Sequence, residues 1–258
     1  MKLALVVASA AVSVSADGPL LVTPLIEKGL ITEARKAAAI DLAVPPPIGH
    51  SAALGWSGFV TVPAEAAPTK QDNNIFFWLQ PCAKWGCGKD APFVVWLQGG
   101  PGGPGTFGAL SEIGNYYIRD GALNERCFSW CKRANCLFVD QPTMTGFSFP
   151  TNSSGMYPGD DDVIYTATSE QAMTEVFGVV GQVLTIFPEF SSSPLWITGE
   201  SYGGQYISVR PGSAHFRGAS LTMRPRTSAL TAAARPSTHT PSRLPAAAPV
   251  HVNRTSAM

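Results

Sequence analysis

The segment Leu195–Gly204, LWITGESYGG, constrains the fold of this chain more than any other stretch. An apolar, β-branched run, Leu195–Thr198, leads directly into a G-x-S-x-G pentapeptide centred on Ser201. In that context a sharp turn between a strand and a helix exposes the serine hydroxyl and places backbone N–H groups beside it. An ordinary glycine turn with an idle serine has the same pattern, so this segment alone is weak evidence for a nucleophile.

Two further segments combine the end of an apolar strand with a turn. Trp96–Gly102, WLQGGPG, ends in glycines that let the backbone direct its N–H groups at a ligand, as an oxyanion hole requires. Leu137–Pro142, LFVDQP, leads into Thr145–Phe149, TGFSF. Accompanied by these two segments, the G-x-S-x-G turn becomes a strong signal for a serine nucleophile.

Strand and helix candidates alternate along the chain. Short apolar or aromatic runs predict five strands: Trp56–Val62, Asn74–Leu79, Pro92–Leu97, Cys136–Val139 and Leu195–Thr198. Helical spacing predicts helix within Pro19–Asp41 and one long helix over Asp160–Phe187, with acidic residues at its start that suit the helix dipole. We expect the first two strands to pair antiparallel at an edge of an α/β sheet that is parallel in its centre.

In this order and spacing, the three segments resemble the serine carboxypeptidases of the α/β-hydrolase fold. The resemblance extends from about Pro19 to Ile207, and Pro19–Gly29, Gln98 and Gly102–Gly103 look most like the vitellogenic-like branch. It implies an α/β-hydrolase-type central mixed sheet, truncated at its C-terminal side. It also implies a serine-type carboxypeptidase that removes C-terminal residues of peptides or proteins through an acyl-enzyme, with no metal and no organic cofactor.

The resemblance implies roles for seven residues. Ser201 would be the catalytic nucleophile, and the backbone N–H groups of Gly100 and Tyr202 would form the oxyanion hole. The free carboxylate at the substrate's C-terminus would be bound by four residues: Gln98, where many family members have asparagine, Gly99, Glu112 and Glu200.

Glu112 falls where the family has a second carboxyl group that hydrogen-bonds the glutamate before the serine. Two adjacent carboxylates repel each other, so such a pair retains one shared proton and can then donate to a substrate carboxylate. We therefore expect substrate binding to weaken as the pH rises and that proton leaves. The alternative is that Glu112 is an ordinary solvated helix residue.

Several positions depart from the family pattern. Pro104–Gly105 stands where the family usually has two serines, so the hydrogen bonds of that loop should differ, and Met144 replaces an expected glycine. In this fold the triad Asp and His follow the serine in the sequence. Residues 208–258 contain three histidines, His215, His239 and His251, but no Asp or Glu.

Because no recognisable triad Asp or His follows Ser201, we expect the chain to be inactive or weakly active. Two alternatives stay open: a non-catalytic secreted fragment of a hydrolase, and an acyltransferase or esterase on the same scaffold. Gln98 and Glu200 favour the peptidase, because an esterase need not bind a peptide carboxylate.

The ends of the chain differ from its middle in composition. Residues 1–16 have the charged start, apolar run and small residues of a secretory signal peptide, leaving a partial hydrolase domain over 17–207. The chain has no net charge, but residues 208–258 carry seven Arg, six Pro and no acidic residue, and this low-complexity tail is predicted to be disordered. Without interleaved aromatic residues it is a poor nucleic-acid arm, and we expect neither nucleic-acid nor membrane partners.

A secretory route to an extracellular or lysosomal destination makes disulfides and glycosylation possible. Cys82 and Cys87 are expected to close a small loop, and two of Cys127, Cys131 and Cys136 could pair, which leaves one thiol without a partner. No histidine lies at metal-ligand spacing near them, so no metal site is expected. Asn152 begins a glycosylation sequon in a polar loop.

Overall fold

The computed structural model describes residues 18–40, 54–64, 67, 71–82, 87, 91–151 and 166–209, all of which fall in one compact unit. The signal peptide, the sequon at Asn152 and the tail beyond Val209 lie outside the described residues, as do all four histidines.

The described strands are β1 (Trp56–Val62), β2 (Asn73–Gln80), β3 (Phe93–Leu97), β4 (Tyr116–Arg119), β5 (Ala122–Glu125), β6 (Asn135–Val139), β7 (Phe149–Pro150) and β8 (Leu195–Gly199). The helices are α1 (Thr23–Glu27), α2 (Ile31–Ala38), α3 (Gly105–Phe107), α4 (Ser169–Ile186) and α5 (Gly203–Ser208). A π-helical turn, Gly108–Glu112, continues α3, and two 3₁₀ turns cover Trp130–Lys132 and Pro188–Phe190.

The sheet confirms the predicted fold class. Its order is β1-β2-β6-β3-β8, with β7 paired to the start of β2. β1 and β2 form the expected antiparallel pair at one edge, whereas β6, β3 and β8 are parallel neighbours. Every residue of β3 and of β6 is buried, as their continuous apolar sequences predict for strands covered on both faces. All five predicted strands are present, with ends that differ by at most one residue.

Both helix predictions need correction at their boundaries. The N-terminal run is two helices, because Gly29 adopts a left-handed conformation (φ 72°) that ends the first of them. The long helix begins at Ser169 rather than Asp160, after the non-helical residues 166–168. Thr168 and Gln171 form a capping box there, in which each side chain bonds the backbone of the other and satisfies N–H groups of the first turn.

The main core lies between the sheet and α4. Val176, Val180 and Val183 of α4 are fully buried in one cluster with the β3 residues Val95 and Leu97. A β4–β5 hairpin, which the sequence did not predict, forms a separate two-stranded sheet. The parallel strands end together at one edge of the main sheet, and their turns build the candidate site there.

The cysteines pair as the sequence allowed. Cys82–Cys87 and Cys131–Cys136 are disulfide-bonded, and Cys127 is an exposed free thiol. Cys82–Cys87 closes a short loop after β2, whereas Cys131 and Cys136 are fully buried in a core cluster with Trp96 and Phe138, and Cys136 lies in β6 itself.

Candidate active site

Three turns meet at the carboxyl edge of the parallel strands. Gln98 follows β3, Asp140 follows β6 and Glu200 follows β8. Parallel neighbours end at the same edge of a sheet, so the three sequence segments that suggested acyl-transfer chemistry come together in space. The helix α5, which begins at Gly203, directly follows the turn after β8 and completes the group.

Ser201 occupies a sharp turn between β8 and α5. Its φ of 55° is a left-handed conformation that a side chain disfavours, as the nucleophile elbow of a hydrolase requires. The Gly203 N–H donates to the Glu200 carbonyl (2.8 Å) and closes the turn. A Cβ at Gly199 or at Gly203 would lie 2.6 Å from the Leu97 carbonyl oxygen, so only glycine lets the elbow lie this close to β3.

The glycine turn after β3 packs directly on this elbow. A Cβ at Gly99 would lie 2.8 Å from the Tyr202 backbone nitrogen and 2.7 Å from the Glu200 carbonyl oxygen. Gly100 has a φ of 116°, and the Gly103 N–H closes the turn on the Gly99 carbonyl (2.8 Å). The two backbone segments expected to supply the oxyanion hole, at Gly100 and Tyr202, are therefore neighbours.

Tyr202 also links the elbow to α4. Its hydroxyl lies 3.3 Å from the Ser169 hydroxyl, and its ring packs edge-on against the buried ring of Tyr206 (centroids 5.1 Å apart). Burial raises the pKa of the Tyr206 hydroxyl, which therefore stays protonated, and the Gly102 N–H donates to that hydroxyl. These contacts hold the first turn of α5 against both the glycine turn and α4.

The Gln98 amide lies between the carboxyl groups of Glu112 and Glu200. Its Nε2 donates to Glu112 Oε1 (3.2 Å) and to Glu200 Oε2 (3.1 Å), while its Oε1 accepts from the indole N–H of Trp96 (2.9 Å). An indole nitrogen can only donate, so Trp96 fixes the amide with its NH₂ group toward the two glutamates. Trp96 was not assigned a role from the sequence, where it reads only as an apolar strand residue.

The two glutamates of this cluster share one donor. Glu112 and Glu200 both accept from the Gln98 amide, and a direct hydrogen bond between their carboxyl groups stays a prediction. Gln98 is 6% exposed, Glu112 is half-buried and Glu200 is exposed, so the cluster is buried at the amide and open at one carboxyl. A shared proton is not needed to hold this arrangement together, and it stays a prediction.

Asp140, at the end of β6, is buried beside the glycine turn. Its carboxylate accepts from the Thr106 N–H (2.8 Å), the Thr106 hydroxyl (3.3 Å) and the Phe147 N–H (3.1 Å). Burial raises the pKa of the Asp140 carboxyl, and these hydrogen bonds act against that rise. The sequence placed Asp140 at the end of a strand but gave it no role.

Glu175 of α4 is a second buried carboxyl near the site. It accepts from both the N–H and the hydroxyl of Thr143 (2.9 and 2.6 Å), from the Asn73 amide (2.8 Å) and from the Thr166 hydroxyl (3.1 Å). Burial raises the pKa of the Glu175 carboxyl, and the hydrogen bonds lower it in part. Glu175 thereby joins α4, β2 and the turn that follows β6.

No candidate general base for Ser201 is placed, because every histidine lies outside the described residues. Within those residues, no group of three or more His, Cys, Asp or Glu side chains could hold a metal ion. None of the described helices has the length and apolar character needed to cross a membrane.

Comparison with known proteins identifies the family. The serine carboxypeptidase family matches residues 50–210. The vitellogenic carboxypeptidase of Aedes aegypti is 34% identical over 73% of this chain, and a probable serine carboxypeptidase (CPVL) of Homo sapiens is 34% identical over 76%. The chain spans 36% and 37% of the lengths of these two relatives.

A venom serine carboxypeptidase of Apis mellifera is 36% identical over 73% of this chain and 36% of its own length. Among solved structures, the prohormone-processing carboxypeptidase Kex1(delta)p of Saccharomyces cerevisiae matches with a TM-score of 0.49 and 31% identity, over 59% of this chain and 32% of that one. With the family match covering more than half of its residues, this chain belongs to the serine carboxypeptidase family.

Proposed function

We propose that this chain carries the nucleophile and the C-terminal recognition site of a serine-type carboxypeptidase, which removes the last residue of a peptide through an acyl-enzyme on Ser201. The observation that carries the proposal is the Gln98–Glu112–Glu200 cluster directly before the elbow. Glu200 directly precedes Ser201 in the sequence, and its Oε2 accepts a hydrogen bond from Gln98 Nε2 (3.1 Å). A substrate whose terminal carboxylate binds at this cluster presents its last peptide bond to Ser201.

The proposed reaction uses the two backbone segments that meet at the elbow. Ser201 Oγ gives up its proton to a general base as it bonds to the carbonyl carbon of the last peptide bond, and the carbonyl oxygen becomes an oxyanion. The N–H groups of Gly100 and Tyr202 donate to that oxyanion. The same proton passes to the nitrogen as the C–N bond breaks, and the released amino acid leaves. Water then hydrolyses the ester on Ser201: its oxygen bonds to the acyl carbon, and one of its protons returns to Ser201 Oγ.

Recognition of the terminal carboxylate requires hydrogen-bond donors at the open side of the cluster. The Gln98 NH₂ group can exchange one of its contacts with a glutamate for the substrate, and the Gly99 N–H is a second candidate donor. A proton retained between Glu112 and Glu200 would supply a third. The preference for a free carboxylate over an amide or an ester is the signature of such a site.

The general base remains unassigned. His50, His215, His239 and His251 are the only histidines of the sequence, and no acidic residue follows position 207 to orient one of the last three. Loss of triad members lowers kcat by roughly 10⁴ to 10⁶. The expected weakness of this chain as a catalyst therefore stays a prediction, while the nucleophile and the recognition cluster can be tested separately.

The proposed substrates are peptides or proteins with a free C-terminus, and the proposed location is the secretory pathway. The two disulfides support that location, because disulfides persist in oxidising compartments. The signal-peptide pattern of residues 1–16 and the sequon at Asn152 agree with it. Mass spectrometry of the chain secreted from a eukaryotic host tests both cleavage after residue 16 and glycosylation at Asn152.

The decisive test is labelling of the purified chain with a fluorophosphonate probe. Because no triad base is assigned, we expect slow labelling of Ser201, and we expect that labelling to be lost in Ser201→Ala. Ser208→Ala is the matched control, because Ser208 lies in the helix that follows the elbow and its hydroxyl donates to the Gly204 carbonyl (2.8 Å). A folded chain that is not labelled, or labelling that persists in Ser201→Ala, would contradict the proposal.

A further inference from the structure

Asp140 is a fully buried charged residue to which the proposed reaction gives no task. It directly follows β6 within the LFVDQP segment, and the residue is 0% exposed. Three of its hydrogen bonds come from backbone or side chains of the two neighbouring turns, at Thr106 and at Phe147. A buried carboxylate with this many donors is held in one orientation, so it can define the position of whatever it binds.

The Thr106 contact places Asp140 at the start of a helix. Thr106 belongs to the first turn of α3, whose free N–H groups need acceptors. Pro104, at the N-cap position, has no side-chain hydrogen bond to offer. Asp140, the residue after β6, therefore provides the N-terminal cap that Pro104 cannot provide. Its negative charge also suits the positive end of the helix dipole.

The same helix ends at the recognition cluster. From Gly105 it continues without a break through the π-helical turn to Glu112, whose carboxyl accepts from Gln98. A Cβ at Gly105 would lie 2.7 Å from the Val139 nitrogen, so the start of the helix is pressed against β6. A helix of this length moves as one body, and a shift at its start is carried to Glu112.

We propose that Asp140 is a positioning residue for recognition of the substrate's C-terminal carboxylate. By capping the helix Gly105–Glu112 it holds the Glu112 carboxyl on the Gln98 amide. The inference rests on the proposed function, because it assigns Asp140 to the cluster that reads the free carboxylate. A general structural role would weaken the binding of every ligand. The proposed role should weaken only the binding of ligands with a free carboxylate.

The variant Asp140→Asn tests this with little change of volume. An asparagine has one acceptor oxygen, so its NH₂ group must face the N–H of either Thr106 or Phe147, and one of these hydrogen bonds is lost. We expect binding of a free-acid ligand to weaken about tenfold, the scale of one hydrogen bond to a charged group, with binding of the matching amide unchanged.

The experiment measures binding rather than turnover. The full chain carrying Ser201→Ala is titrated by calorimetry with an N-acetylated dipeptide and with its C-terminal amide, with and without Asp140→Asn. Asp120→Asn makes the same chemical change at an exposed turn. Val60→Ala removes buried volume on β1, which is separated from β3 by β2 and β6, and controls for a general loss of stability.

Each outcome decides the question. A preference for the free acid that falls in Asp140→Asn, but not in Asp120→Asn or Val60→Ala, supports the proposal. An undiminished preference in folded Asp140→Asn overturns it and leaves the proposed function intact, as does an equal loss in Val60→Ala. No preference in the Ser201→Ala reference overturns both. If Asp140→Asn does not fold, Thr106→Val is used instead, because it removes only the hydroxyl contact to Asp140. It must then reduce the preference for the free acid over the amide by a smaller factor.

Discussion

At Gly99 a single methyl group would separate the two turns that form the candidate site. It would lie 2.8 Å from the Tyr202 nitrogen, in the space that the elbow occupies. Gly99→Ala must therefore displace one of the two proposed oxyanion donors. Removal of one such donor lowers rates by about 10²–10³-fold, so we expect fluorophosphonate labelling of Ser201 to slow by about 100-fold.

Gly204→Ala is the matched control for this prediction. Gly204 lies in α5, three residues after Ser201, and a Cβ there meets nothing within 4 Å. Alanine also favours a helix over glycine by about 1 kcal/mol. We expect Gly204→Ala to be labelled as fast as the reference, and an equal loss in both variants would contradict the role given to Gly99.

Met144 carries backbone strain at a position where the family resemblance predicts glycine. Its φ of 71° is left-handed, a conformation that costs a residue with a Cβ about 1–2 kcal/mol, while glycine in place of another residue costs about 0.5–1 kcal/mol in chain entropy. We expect Met144→Gly to stabilise the chain by about 0.5–1 kcal/mol and to raise Tm by about 1–4 °C. Thermal unfolding followed by circular dichroism measures this.

Asp120→Gly provides the comparison for Met144→Gly. Asp120 is also left-handed, with a φ of 53°, but aspartate tolerates that region better than methionine does. Asp120→Gly should therefore raise Tm less than Met144→Gly does. A lower Tm for Met144→Gly than for the reference would show that the packing of the half-buried methionine outweighs the strain in its backbone.

At the scale of elements, Glu175 makes the contact between α4 and the turn after β6 sensitive to pH. Burial raises its pKa in the folded chain above the usual value of 4.5, which an unfolded glutamate keeps. Between these two pKa values the folded state binds more protons than the unfolded state. Its free energy of unfolding therefore falls as the pH rises through that window.

We expect Glu175→Gln to make the unfolding free energy less dependent on pH above 4.5, as measured by urea unfolding at a series of pH values. The variant is also less stable at low pH, because its NH₂ group faces the Thr143 N–H. Glu170→Gln, at an exposed position on the same helix, is the matched control. An unaltered slope in Glu175→Gln would contradict the assignment.

The sequence predicted those elements whose signal is local. Continuous apolar runs such as Phe93–Leu97 are covered on both faces, and the glycines around Ser201 mark a tight turn without reference to the rest of the chain. The start of α4 had a local signal too, since Thr168 and Gln171 have the spacing of a capping box, but the acidic run at 160–162 pointed to an earlier start.

The long-range part of the site could not be predicted in this way. From the sequence alone, Asp140 and Glu175 are ordinary acidic residues. Their burial depends on hydrogen-bond donors from distant positions in the sequence. Asn73 reaches Glu175 across 102 residues, and Thr106 reaches Asp140 across 34. Trp96 and Gln98 are close in the sequence, but the role of their hydrogen bond depends on Glu112 and Glu200, which lie in distant segments.

For the molecule as a whole, β8 is the strand of the main sheet with the weakest cover. It pairs with β3 on one side, and the described residues contain no strand on its other side. Its apolar sequence suits a strand covered on both faces, yet Trp196 is 52% exposed. An exposed apolar edge strand presents unpaired backbone groups that can pair with another chain.

We therefore expect Trp196→Lys to reduce self-association, because a charge on an edge strand opposes pairing with a second chain. Sedimentation velocity over a range of concentrations measures the change. Phe128→Lys is the matched control: Phe128 is 94% exposed but lies in a loop, where there are no strand groups to pair. If exposed apolar area alone drove association, Phe128→Lys would have the larger effect, and that result would reject the edge strand as the cause.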